Sequence, residues 1–164
     1  MYKRQDWSDR RRTGKEHARA NGLFRLEEDH ETLAESLSVA GFRTAAFVSS
    51  FVLNAQFGLG QGFEHYDDDL PQGDGPLRHF KTRRADRTTD RALEWLQANG
   101  TERFFMWVHY IDPHHDYSPP SPYRERYARA PYDGEIAFVD AQFARLVAAL
   151  ERLGVSERLS LIHI

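Results

Sequence analysis

Two short, unbroken apolar runs constrain this chain most: Ala45-Ala46-Phe47-Val48 and Phe104-Phe105-Met106-Trp107-Val108. A strand that is apolar at successive positions, not at alternate ones, has to be covered on both faces, which is the condition of strands in a parallel sheet. Strands are therefore expected over 42–50 and 104–110. Each is preceded by a helical pattern. In 29–41, Thr32 and Glu35 have the spacing of a capping box, Leu33, Leu37 and Ala40 share one face, and Gly41 can stop the helix. In 86–98, Asp86 is the candidate N-cap, Ala92, Leu93, Trp95 and Leu96 are the apolar positions, and Asn99-Gly100 is the stop. A third helix is expected over 131–153, where Ile136, Val139, Phe143, Leu146, Leu150 and Leu153 recur at helical spacing and Gly154 closes the pattern. Residues 159–164 are expected to begin a third strand. The alternation predicts an α/β fold, with a mostly parallel sheet flanked by helices and joined by right-handed crossovers. Between 54 and 84, Gly58, Gly60, Gly62, Gly73 and Gly75 break every period, which predicts a long surface connection.

The 164 residues, 40% of them hydrophobic and 29% charged, suit one domain with a core of its own. The net charge of -3 combines a basic cluster (Arg10, Arg11, Arg12, Lys15, Arg19) with an acidic run (Asp67, Asp68, Asp69). Neither makes the sustained basic face that a nucleic-acid partner requires, so none is expected. Without cysteine the chain has no disulfides, thiolate metal sites or cysteine nucleophile. No apolar run approaches the roughly 18 residues of a membrane span.

Ligands of open α/β sheets bind at the carboxyl ends of the strands, so the loop after Tyr110 is the candidate site. WVHYIDPHHDYSPPSPY places His109, Asp112, His114, His115 and Asp116 within eight residues. Neutral histidine can ligate a metal or accept a proton, and its protonated form offers charge and hydrogen bonds to an anionic ester. Pro113 restricts its own backbone and that of Asp112, so the direction of His114 is expected to be well defined. Two other readings stay open. In the structural one, His109 alternates along the strand, His115 and Asp116 are solvated and Asp112 caps the turn. In the other, these residues join ligands from elsewhere in a zinc site, although their spacing matches no tight zinc motif. Asp133 and Glu135 are expected to interact with the dipole of the third helix, a direct chemical role for either being the alternative, and Asp140 is expected to be a buried, hydrogen-bonded structural carboxylate. Phe104, Phe105 and Trp107 read as core.

TLAESLSVAGFRTAAFVSSFVLNAQFGLGQGFEHYDDD, FFMWVHYIDPHHDYSPP and PYDGEIAFVDAQFARLVAALERLG, in that order, resemble the sulfatase family, and the resemblance runs from about HARANGLFRL to Gly154. It implies an alkaline-phosphatase-like α/β fold, a sulfate ester of a small molecule or carbohydrate as substrate, and a divalent cation, usually calcium. It also implies a formylglycine nucleophile made within a Cys/Ser-x-Pro-x-Arg motif, which this chain lacks. The family's metal aspartates lie on an early strand and in an Asp-His or Asp-Asn pair after the long helix. Residues 1–164 are accordingly expected to be an internal piece of one catalytic domain, inactive alone, with the nucleophile upstream and the cation held mostly from outside. The histidine of the D-P-H segment matches His114 and is similar to the family histidine that contacts the sulfate group. On that resemblance His114 is expected to bind an ester oxygen and assist proton transfer, His115 to add a substrate contact, and His109 and Asp112 to fix the orientation of His114. Export of the parent to the periplasm or cell exterior fits the family without fixing a compartment. MYKRQ and LSLIHI resemble translated sequencing-adapter remnants, so about 1–5 and 160–164 are set aside from fold reasoning. A phosphodiesterase, phosphonate hydrolase or phosphotransferase of the same superfamily, and a non-catalytic binding domain on the same fold, are the rival readings.

Overall fold

A computed structural model describes residues 19–20, 23–71 and 81–164, with side chains from residue 25 onward. Arg10, Arg11, Arg12, Lys15, the MYKRQ start, Gly73 and Gly75 lie outside the described residues. β1 (Arg19–Ala20) and β2 (Leu23–Phe24) form a short antiparallel ladder. The centre is a three-stranded parallel sheet in the order β4 (His65–Asp67), β3 (Arg43–Phe47), β5 (Phe104–Val108). Helices α1 (Leu33–Val39), α2 (Ala85–Asn99), α3 (Tyr123–Arg126) and α4 (Pro131–Arg152) accompany it. This is the α/β arrangement that the alternating apolar runs predict.

Ala45, Ala46, Phe47 and Val48 are at most 1% exposed. β5 has an equally apolar composition but is only half-buried along its length, not fully buried as expected. The difference is positional, because β3 lies between two strands whereas β5 has a partner on one side only among the described residues. Successive strand residues point to opposite faces. On one face Phe104, Met106 and Val108 join Ala45 and Phe47 against Ala92 and Leu96 of α2 and Leu146 and Leu150 of α4. On the other, Phe105 and Trp107 stack on Phe63 at centroid distances of 5.7 and 6.2 Å.

The capping box of α1 forms in both directions: Glu35 N donates to Thr32 Oγ1 (3.1 Å), and Thr32 N donates to Glu35 Oε2 (2.7 Å). Its buried residue, however, is Ala34, while Leu33 and Ala40 of the expected apolar face are exposed. In the expected stripe of α4, Leu146 and Leu150 are buried and Leu153 is half-buried, but Ile136 and Phe143 are 43% and 39% exposed. The covered face of the first half carries Glu135, Phe138 and Gln142, because it meets α3 and the preceding loop; Tyr123 packs edge-on against Phe138 at 5.7 Å. A stripe selected by apolarity misses a buried face that is partly polar. Asp140 is exposed, contrary to expectation, since it points away from Phe138 and Gln142 on the helix.

The stretch 54–84 is more than a surface connection. It contains β4 and buries Phe57, Leu70 and Arg83. The Arg83 guanidinium donates to Asp67 Oδ1 (2.6 Å), the Val48 carbonyl (2.9 Å) and Thr88 Oγ1 (3.2 Å), joining β4, the end of β3 and α2. Residues 159–164 form no strand, and Leu161 and Ile162 are exposed. A strand requires a neighbouring edge to pair with, and this segment has no such partner among the described residues.

Arg83→Met should lower the unfolding free energy by about 3 kcal/mol, because Asp67 keeps the Asp69 N–H at 3.3 Å but, for a charge partner, only the half-exposed Arg91 at 3.8 Å. Thr32→Ala, which removes one cap, should cost about 1 kcal/mol. Urea denaturation of the two variants checks both magnitudes and their order.

Candidate active site

All three strands of the central sheet run in parallel, so their carboxyl ends share one edge, and the 109–118 loop leaves from that edge. His109 continues the ladder by donating its backbone N–H to the Phe47 carbonyl (2.9 Å). Its ring Nδ1 lies 2.9 Å from Ser49 Oγ, and burial holds its pKa below the usual histidine value, which favours the neutral ring. Tyr110 follows with its hydroxyl 2.7 Å from Thr89 Oγ1 of α2, and burial raises its pKa.

Asp112 acts at a distance. Its Oδ2 accepts the Ala85 N–H at 2.8 Å, so it satisfies the first turn of α2 from 27 residues away. Sequence pattern assigned that cap to Asp86. Instead Arg84 occupies the N-cap position without a side-chain cap, and Asp86 sits inside the first turn, bound to the Arg84 guanidinium at 2.6 and 2.9 Å. Burial pushes the Asp112 carboxyl up to about 6; the Ala85 N–H opposes this, and the nearby charge of Glu135 adds to it.

The other end of the loop is held by Glu135. Its Oε2 accepts the His114 N–H (3.0 Å) and its Oε1 the Ser118 N–H (2.7 Å). Between these attachments the side chains of His114, His115 and Asp116 face solvent. His114 Nδ1 is 2.7 Å from the His115 carbonyl. A carbonyl can only accept, so Nδ1 carries the proton and Nε2 is the ring atom left to meet a ligand. His115 Nδ1 pairs with Asp116, and its ring lies edge-on to Tyr117 at 5.9 Å, which in turn lies edge-on to Tyr132 at 5.1 Å.

The structure thus gathers His114, His115 and Asp116 on one exposed turn, while His109 and Asp112 are engaged with Ser49 and Ala85. Among the described residues no three His, Asp or Glu side chains converge closely enough to hold a metal ion. Two open grooves, of about 460 and 530 Å³, run along α2, and neither is lined by the 112–118 loop.

The sulfatase family model matches residues 12–164, which takes in the central sheet, this loop and α4. The chain belongs to the sulfatase family. No curated protein matched it. In this sulfatase chain the D-P-H segment stands at the carboxyl edge of the sheet, where α/β folds place their ligands. Sequence pattern missed Ser49 and the tether made by Glu135. One signal for the tether was Gly134, a glycine in the first turn of a strong helix. A Cβ there would come within 2.9 Å of Pro119 Cγ and 3.0 Å of Tyr127 Cβ, so only glycine lets α4 approach the loop this closely.

Asp112 gives a pH signature. Its carboxyl holds a proton up to about 6 in the fold, against about 3.9 in an unfolded chain. The contribution to stability is therefore complete below about pH 4 and lost as pH rises through about 6. Relative to Asp112→Asn, which cannot titrate, the wild type should lose up to about 2 kcal/mol between pH 4 and 7. Urea denaturation across that range checks this; a pH-independent difference contradicts it.

Proposed function

We propose that this chain supplies the anion-contacting side of a sulfatase active site within a longer catalytic domain, and that the reaction is hydrolysis of a sulfate ester. The observation that carries the reading is the placement of His114: an exposed ring, with Nδ1 taken by the His115 carbonyl and Nε2 left for a ligand, on a loop tethered at the carboxyl edge of the sheet, in a chain of the sulfatase family. When the ring is protonated, Nε2–H donates to an oxygen of the bound ester, either a peripheral sulfate oxygen or the bridging oxygen of the departing alcohol. Such a donor stabilises charge that develops as the ester bond breaks, an effect worth orders of magnitude when the donor is preorganised. His115, beside it on the same turn, offers a second contact to the anion or to the rest of the substrate. The formylglycine nucleophile and the divalent cation expected for the family are assigned to residues outside those described, and no step is routed through either.

The test is to sequence the genomic DNA on both sides of the reading frame and assay the encoded polypeptide with para-nitrophenyl sulfate, para-nitrophenyl phosphate and bis(para-nitrophenyl) phosphate. The proposal expects preferential turnover of the sulfate. It also expects His114→Ala to lower kcat/KM about 100-fold, with stability changed by no more than about 0.5 kcal/mol because the side chain is exposed. Preference for a phosphate ester assigns the site to phosphoryl transfer, and absence of turnover with any of the three assigns the fold to binding; either result overturns the proposal.

A further inference from the structure

We propose that Glu135 is a positioning residue for His114: its buried carboxylate grips the backbone on both sides of the exposed turn and thereby fixes where the His114 imidazole stands. The proposal rests on the reading of His114 as the group that meets the ester.

Glu135 is 5% exposed and both of its carboxylate oxygens are used. Its partners are the N–H groups of His114 and Ser118, so a single side chain from α4 brackets His115, Asp116 and Tyr117. The helix itself gives Glu135 no reason to be acidic. It is the fifth residue of α4, beyond the first turn where an acidic side chain meets the helix dipole, and that place is held by Asp133. Nor does packing require it, because a buried carboxylate is a costly way to fill space and an apolar side chain of similar size would do so without desolvating a charge. What a carboxylate alone provides is two strong acceptors for the backbone of an irregular loop, whose N–H groups have no strand or helix to pair with.

The neighbouring residues fit that use. Gly134 lets α4 approach Pro119 and Tyr127 closely enough for Glu135 to reach beneath the loop. His114 is then constrained twice, through its own N–H by Glu135 and through ring Nδ1 by the His115 carbonyl, which leaves Nε2 with a defined direction. A group that acts on developing charge has to be held to within about 0.5 Å of its productive place, and a loop on the surface does not achieve this unaided.

Glu135→Gln tests the idea with little change of shape, since the amide keeps one acceptor oxygen and turns a donor toward the other N–H. In this chain, hydrogen exchange of the His114 and Ser118 amides should speed up roughly tenfold or more for at least one of them, while the core amides of β3 and α2 stay protected. Unchanged protection of both overturns the tether, whatever ester the enzyme prefers. In the polypeptide of the His114 assay, Glu135→Gln should lower kcat/KM about tenfold. Placed on His114→Ala, it should cost no more than about twofold, because a residue that acts through His114 has nothing left to position. An equal loss in both backgrounds overturns the positioning role. Loss of sulfate turnover in the wild type would remove the functional reading alone, and the exchange experiment still decides the tether.

Discussion

The two-sided burial of β3 is the constraint from which the rest follows. A strand whose Ala45, Ala46, Phe47 and Val48 are closed to solvent needs a strand on each flank and cover on each face. β4 and β5 supply the flanks, both parallel to it, while α2 and α4 cover one face and Phe63 meets the aromatic residues of β5 on the other. Parallel pairing also brings the three carboxyl ends to one edge, and the His114 loop leaves the sheet there. Position at that edge is thus a property of topology, settled before any residue of the loop is chosen.

What the topology does not settle is the conformation of the loop, and polar groups perform that task. An irregular segment carries backbone N–H groups without ladder partners, and a helix begins with N–H groups of its own to satisfy. Two acidic side chains answer both needs across the tertiary structure: Asp112 reaches from the loop to the start of α2, and Glu135 reaches from α4 to the loop. Arg83 performs a comparable task at the carboxyl end of β4, which it joins to the end of β3 and to α2. The exposed histidines stand between attachments that are themselves withdrawn from solvent.

These differences in reach decide how much was legible beforehand. The apolar run of β3 and the capping box of α1 declare themselves within a few residues, and both are present. β4 is three residues, His65-Tyr66-Asp67, with no strand-like composition; it exists because β3 needs a flank and Arg83 holds it, neither of which local pattern contains. The buried face of α4 was misplaced because it includes Glu135 and Gln142, which apolar periodicity discards. In the candidate site the chemistry-bearing residues were visible as a cluster, but their partners were not. Ser49, Ala85 and Glu135 lie 60, 27 and 21 residues from the groups they bind. Proximity in sequence grouped His109 and Asp112 with His114, whereas packing gives each of them a partner of its own.

His114 is the histidine proposed to meet the anion, and the histidine rings can be watched while an anion binds. The polypeptide that carries this chain would be labelled with nitrogen-15 and titrated with benzylsulfonate, in which carbon replaces the bridging oxygen of an aryl sulfate. Among the chain's eight histidines, the account predicts a saturable shift of the His114 Nε2 resonance, with the His109 ring, engaged with Ser49, unmoved. Saturable binding that leaves His114 unchanged, or that shifts His109 in its place, would contradict it.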